Sequence, residues 1–282
     1  MSTEHCQFDE LGEHQLATPP DTHDKVVPPL KWHGGKYYLF KTILALFPPH
    51  LHYVEPFFGS GQVLFGRDPE DPRLWWTERT SDGRQVDGVS EVVNDIDRNL
   101  MNFYEVLRAP ALFEKLQHRL EFTPFSEAEW EAAGELLKGK EGDRIERAAS
   151  LFISVRQSRQ ALREDFVTPV RSRLRGGRQE HVNAWLSAVE GLEAVHRRLR
   201  CVLQFCRPAV EVIESEDSRQ TLFYCDPPYL HEIWATPPSR RLLESFYPYS
   251  FCSLRFWIIR ARRLGMTFVL ITAIIFAKDE RI

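Results

Sequence analysis

The stretch LHYVEPFFGSGQVLFG, residues 51–66, decides how this chain folds. Its front, residues 51–54, is predicted as a short strand, and residues 62–65 begin a further element, predicted as a helix. Gly59 and Gly61 mark a tight turn between the two. Glycine at such a turn lets the backbone approach a ligand closely, so this turn is the first candidate for a binding site.

A second unit, EVVNDIDRNLMNFYEVLR, occupies residues 91–108. Val92 and Val93 predict a buried strand, Asp95 and Asp97 lie where it ends, and apolar residues at helical spacing follow. Strand, glycine turn, helix, strand, acidic end and helix together are typical of the start of a doubly wound α/β sheet. Upstream, residues 27–50 contain a glycine pair and then a helical pattern that Pro48 ends.

The chain divides into three predicted regions. Residues 1–27 are polar and are predicted as a flexible arm, and residues 28–108 and 203–282 form the α/β domain. Residues 109–202 are predicted as a helical insert without strands. Its amphipathic helices are predicted at residues 110–122, 126–137, 143–158 and 181–200. Residues 67–90 are predicted as an exposed loop or an insertion, part of which packs through Trp75 and Trp76. Further predictions are strands at 221–225 and 266–275 and a helix at 255–264.

Composition and charge narrow the classes of function. The net charge of −4 argues mildly against a nucleic-acid partner, but residues 156–178 carry seven arginines against two acids. Arginine suits phosphates and guanine edges, although a solvated face is the simpler interpretation. Five cysteines in no zinc-like spacing predict free thiols in a reducing cytoplasm and no metal site. The apolar stretch 264–277 is too short to span a bilayer, so no membrane partner is expected.

The sharpest chemical motif is Asp226-Pro227-Pro228-Tyr229, at the end of the predicted strand 221–225. The prolines stiffen the backbone, so a carboxylate, the neighbouring carbonyls and an aromatic ring keep a fixed relation. Asp226 and the Pro227 carbonyl could each accept an N–H bond from a planar amine, and Tyr229 could stack on its ring. The alternative is a strand-end turn with a surface tyrosine.

Acidic side chains after the second strand favour a nucleoside-like ligand. An acid at the place of Asp95 and Asp97 can accept hydrogen bonds from ribose hydroxyls. A nicotinamide-dependent enzyme usually has the spacing GxGxxG at the preceding turn, and this chain does not. A dehydrogenase is therefore disfavoured.

Four motifs in order, KWHGGK (31–36), EPFFGSG (55–61), NDID (94–97) and DPPY (226–229), resemble those of the Dam-type DNA adenine methyltransferases of bacteria and phages. The resemblance covers about residues 30–229, and FISVRQSR (152–159) also resembles the family. It implies a Rossmann-like methyltransferase sheet that uses S-adenosylmethionine (AdoMet), with residues 109–202 as a helical target-recognition insert. Such enzymes also occur in restriction–modification systems.

The resemblance implies that AdoMet donates a methyl group, without a metal, to the N6 amine of an adenine flipped out of duplex DNA. The protein is expected to act as a monomer. The implied cofactor-binding residues are Trp32, Lys36, Asp95 and Asp226, with Glu55, Phe57, Gly59 and Gly61 around the pocket. The implied catalytic residues are Asp226, Pro227, Pro228 and Tyr229. The predicted DNA-binding residues are Arg156, Arg159, Arg163, Arg171, Arg173 and Arg175.

Two residues of the first motif have predicted contacts. Lys36 is expected to pair with a carboxylate of the ligand, and Trp32 to lie against its sulfonium or adenine. The alternative is an ordinary loop that leads into a helix.

After Leu230 the sequence departs from the family pattern, with Pro237, Pro238 and Pro248 among clustered aromatic residues. This departure leaves open a truncated, catalytically inactive DNA-binding relic, as in a decaying prophage copy. An N4-cytosine DNA methyltransferase is the nearest enzymatic alternative. That class typically has Ser-Pro-Pro-Tyr, so Asp226 favours adenine. RNA or a protein glutamine is a less favoured methyl acceptor.

Overall fold

The structure is a computed structural model of the protein. It describes residues 26–32, 36–76, 83, 87–139, 142–167, 172–227 and 267–270. Within these residues the strands are β1 (His52–Glu55), β2 (Ser90–Asn94), β3 (Leu174–Arg175), β4 (Arg178–Gln179), β5 (Leu203–Phe205), β6 (Thr221–Cys225) and β7 (Thr267–Leu270). The helices are α1 (Phe40–Leu44), α2 (Gln62–Gly66), α3 (Arg98–Arg108), α4 (Pro110–Glu121), α5 (Glu127–Lys138), α6 (Arg144–Arg156), α7 (Glu180–Glu190), α8 (Leu192–Leu199) and α9 (Ala209–Glu216).

Five strands form one parallel sheet in the order β5-β2-β1-β6-β7. The chain moves outward from β1 through β2 to β5 on one side, and from β6 to β7 on the other. The direction of winding therefore changes between β1 and β6. Ligands of such sheets bind outside the carboxyl ends of the strands at this switch point. The sheet and its helices confirm the predicted Rossmann-like α/β fold.

Alternate residues of the central strands face two separate apolar clusters, as the two-residue period of a strand requires. Tyr53 of β1 and Tyr224 of β6 belong to the larger cluster, which includes buried residues of α3, α4 and α6. Val54 and Phe223 face the other cluster with Val212 of α9. The central strands are buried on both faces, which fixes the positions of their carboxyl ends.

A charged network lies at the opposite end of the sheet from this switch point, where β1 and β2 begin. Glu91 accepts a hydrogen bond from Arg67. It also accepts one from each terminal nitrogen of Arg198, both at 2.6 Å. Arg67 also contacts the ring of His50, and burial lowers the pKa of His50 to about 4. Arg67 was predicted to begin an exposed loop. Arg67 itself is instead buried, because Glu91 compensates its charge within the core, whereas Asp68, Glu70 and Arg73 after it are exposed.

The insert region differs from its sequence prediction in two places. The helix predicted over residues 181–200 is two helices, α7 and α8, which meet at Gly191. A short antiparallel hairpin, β3–β4, lies where no strand was predicted. Gly176 and Gly177 both have positive φ at its tip, which is the backbone that a tight two-residue hairpin turn requires.

Several other predictions are tested only in part. Cys201, Cys206 and Cys225 are free thiols as predicted, whereas Cys6 and Cys252 lie outside the described residues. Of the strand predicted at 266–275, residues 267–270 are seen as β7. The predicted arm is described only at residues 26–27, and the helix predicted at 255–264 is outside the described part. None of the described helices is long and apolar enough to cross a membrane.

Candidate active site

The turn between β1 and α2 strongly favours glycine at two positions. Gly59 has φ +52° and Gly61 has φ +69°, in the left-handed region that favours glycine. A Cβ atom on Gly61 would lie 2.6 Å from Cζ of Phe58, so the Phe58 ring would have to move to admit any side chain. At Gly59 a Cβ atom would meet Cδ1 of Trp32 at 3.1 Å. The Trp32 ring therefore lies directly against the turn.

Hydrogen bonds fix the Gly59 backbone from both sides. Its N–H donates to Oδ2 of Asp95 at 3.0 Å, and its carbonyl accepts from the Tyr104 hydroxyl at 3.0 Å. The other oxygen of Asp95 accepts from the Asp97 N–H at 3.0 Å. Burial raises the pKa of Asp95. The structure thus brings together Trp32, Gly59 and Asp95, three of the predicted cofactor-binding residues.

Asn94, the last residue of β2, joins three loops at this edge of the sheet. Its amide donates to the carbonyls of Pro56 and Arg207, both at 3.0 Å, and its side-chain oxygen accepts from the Arg207 N–H at 3.0 Å. Its own carbonyl accepts from the Phe58 N–H at 2.9 Å. Asn94 was not among the predicted site residues. The only signal in the sequence was its place in the NDID motif.

An ion pair lies at the carboxyl end of the neighbouring strand, β6. Nζ of Lys36 is 2.6 Å from Oδ2 of Asp226, and the Lys36 side chain is only 7% exposed. The sequence predicted a ligand carboxylate as the partner of Lys36, whereas in this structure Asp226 is a partner within the chain. Pro227 follows it, and Pro228 and Tyr229 lie outside the described residues.

The last residue of β1, Glu55, is a buried acid that precedes the glycine turn. Glu55 accepts a hydrogen bond of 2.6 Å from the Tyr53 hydroxyl, and both side chains are fully buried. Burial raises the pKa of Glu55 to about 8, so this carboxyl is largely protonated at neutral pH. Phe57, also predicted for the cofactor pocket, is half-buried against the cluster around Val54.

The predicted DNA-binding arginines occupy two different environments. Arg159, Arg163, Arg173 and Arg175 are exposed, Arg159 in an ion pair with Asp165 and Arg175 on the β3–β4 hairpin. Arg171 lies outside the described residues. Arg156 is different, because its guanidinium is mostly buried and bonds the carbonyls of Pro28 and Pro29. In this structure it is a contact within the chain rather than a free surface cation.

The described residues contain no cluster of three or more histidine, cysteine, aspartate or glutamate side chains that could hold an ion. The described site offers hydrogen-bond acceptors, an aromatic face and one ion pair. These groups lie at the ends of the adjacent strands β1, β2 and β6.

Comparison with known proteins gives a match over part of the chain. Residues 32–141 match the family model described as D12 class N6 adenine-specific DNA methyltransferase. No curated protein matches the chain. The matched part contains Trp32, the glycine turn and Asp95, whereas Asp226 lies beyond it. The match confirms the predicted resemblance over residues 32–141 and agrees with the predicted enzyme class, an adenine-specific DNA methyltransferase.

Proposed function

We propose that this protein transfers the methyl group of AdoMet to the N6 amine of an adenine flipped out of duplex DNA. The observation that carries the proposal is the proximity of two units at the switch point of the sheet. The Gly59–Asp95 unit follows β1 and β2, and the Asp226–Lys36 pair follows β6. Because β1 and β6 are adjacent, a methyl donor held by the Gly59–Asp95 unit would face a methyl acceptor held by the Asp226–Lys36 pair.

The residues at the glycine turn suit AdoMet. Two left-handed glycines open the backbone, and the half-buried Trp32 ring offers an aromatic face for a cationic sulfonium or an adenine. The Asp95 carboxylate, already oriented by two backbone N–H groups, can accept hydrogen bonds from ribose hydroxyls. When bound, AdoMet supplies the methyl group on an activated sulfonium.

The chemistry proposed at β6 concerns the exocyclic amine of adenine. This amine is a poor nucleophile because its lone pair is delocalised into the ring. The two N–H groups of the amine would donate hydrogen bonds, one to Asp226 and one to the Pro227 carbonyl. These bonds would draw the nitrogen toward sp³ geometry and free its lone pair. Lys36 holds the Asp226 carboxylate in place at 2.6 Å, so its orientation is set before the base arrives. Tyr229 is proposed to stack on the flipped base.

The insert is proposed to bind DNA. Residues 28–108 and 203–282 are proposed as the catalytic domain, and residues 109–202, which include α4 to α8 and the β3–β4 hairpin, as the recognition insert. The exposed side chains of Arg159, Arg163, Arg173 and Arg175 can contact phosphates, and Arg171 is proposed to join them. Such contacts offset the cost of removing the base from the stack.

Methyl transfer to DNA tests this proposal. Purified protein is incubated with AdoMet labelled in its methyl group and with unmethylated duplex DNA, and the label in DNA is counted. Asp226→Ala is expected to reduce kcat by about a hundredfold or more, since it removes an oriented acceptor. The matched control is Asp217→Ala, an exposed acid after α9 outside the site, which should transfer at the wild-type rate. Equal rates in both variants would exclude the role given to Asp226.

A further inference from the structure

Arg156 joins the insert to the segment that begins the described chain. It is the last residue of α6, and its Nε donates to the Pro29 carbonyl at 2.6 Å. Nη2 donates to the Pro28 carbonyl at 3.3 Å. The guanidinium carbon lies 5.8 Å from the centre of the Phe152 ring, one turn earlier on the same helix. One planar side chain thus holds two successive carbonyls.

Burial of the Arg156 guanidinium costs free energy, and its hydrogen bonds to the two proline carbonyls offset that cost. Burial lowers the pKa of Arg156 to about 10, so the protein holds this cation away from bulk water. Proline has no backbone N–H, so the carbonyls of Pro28 and Pro29 are the groups by which this part of the chain can be bonded. Without a guanidinium these carbonyls would lose a charge-assisted partner, which is a stronger bond than a neutral one.

The segment held by Arg156 carries cofactor-site residues. Leu30 is 3% exposed in the main core, and Lys31 lies near enough to Arg156 that its pKa is lowered by burial and by that charge. The next residue, Trp32, lies against Gly59. We propose that Arg156 is a positioning residue for the cofactor site, which fixes the Trp32 ring on the glycine turn from the end of α6. This role rests on the proposed function only where it invokes AdoMet.

Two affinities separate this role from a DNA contact. Arg156→Met is expected to weaken AdoMet binding about tenfold in the absence of DNA, since one charge-assisted hydrogen bond is worth about that factor. DNA affinity measured without AdoMet should stay at the wild-type value. The matched control is Arg159→Met, three residues later and exposed, which should lower DNA affinity and leave AdoMet affinity unchanged. Loss of DNA affinity with normal AdoMet affinity in Arg156→Met would overturn the proposal.

Hydrogen exchange of the ligand-free protein provides a readout that does not depend on the activity. The amides of Leu30, Lys31 and Trp32 should exchange faster in Arg156→Met than in wild type, while those of α3 are unchanged. Arg156→Lys, which keeps a charged donor, should restore part of the protection and serves if the Met variant does not fold. Unchanged exchange at these amides would refute the positioning role. If these amides exchange faster in Arg156→Met but the wild-type protein binds no AdoMet, the proposed function is refuted. The positioning of the Trp32 segment by Arg156 is then still supported.

Discussion

Replacing Glu55 by Gln should change how the stability of this protein depends on pH. The pKa of Glu55 rises from its ordinary value of 4.5 to about 8 in the folded protein, because the carboxyl is buried on β1. Between these values the unfolded chain releases a proton that the folded chain keeps, so wild-type stability falls as pH rises. Gln keeps an oxygen that accepts from Tyr53 and has no proton to release.

The magnitude follows from the linkage between pKa and folding. From about pH 5 to about pH 7.5, the unfolding free energy of Glu55→Gln should rise by about 3 kcal/mol relative to wild type. Urea denaturation of both proteins across this pH range measures the difference between their unfolding free energies. The contributions of all other titrating groups are the same in both proteins and cancel in this difference. Tyr53→Phe is the control. The Tyr53 hydrogen bond lowers the pKa of Glu55, so its loss should keep or widen the pH dependence. Parallel pH profiles for wild type and Glu55→Gln would refute the buried, proton-binding carboxyl.

Three further predictions concern the turn, the loop contacts and the DNA surface. Gly61→Ala should lower the thermal midpoint, since φ +69° costs about 1–2 kcal/mol for alanine and the Phe58 ring would have to move as well; calorimetry measures it. Asn94→Ala loses three hydrogen bonds and should lower the free energy of unfolding, measured by urea denaturation, by about 3 kcal/mol. It should also weaken AdoMet binding in titration calorimetry, and unchanged stability would contradict the role of Asn94 in joining the loops. Arg175→Ala should reduce the slope of log DNA affinity against log salt by about one, if Arg175 contacts a phosphate; fluorescence anisotropy at several salt concentrations checks this.

The sequence predicted well the elements that depend on local pattern. The unit β1–turn–α2 and the unit β2–α3 could be predicted because strand length, glycine placement and helical spacing are each visible within about fifteen residues. The acid at the end of β2 was predicted for the same reason. The family motifs then indicated the chemistry, because their order along the chain is itself a pattern.

Contacts between distant parts of the chain could not be predicted in this way. Asn94 has partners 38 and 113 residues away, and Arg156 has one 127 residues away, so their roles appear only after folding. Arg67 falls in a polar stretch that suggested an exposed loop, but Glu91 compensates its charge in the core. The β3–β4 hairpin was missed because two-residue strands are too short to show a period.

Methyl transfer to the N6 amine of adenine is tested most directly by identifying the nucleoside that receives the label. DNA methylated by the wild-type protein with labelled AdoMet is digested to nucleosides, which are separated and counted. All of the label is predicted in N6-methyl-2′-deoxyadenosine, and Asp226→Ala should reduce its rate of formation by about a hundredfold or more. Label in N4-methyl-2′-deoxycytidine, or equal adenine labelling by Asp226→Ala, would contradict methyl transfer to adenine through Asp226.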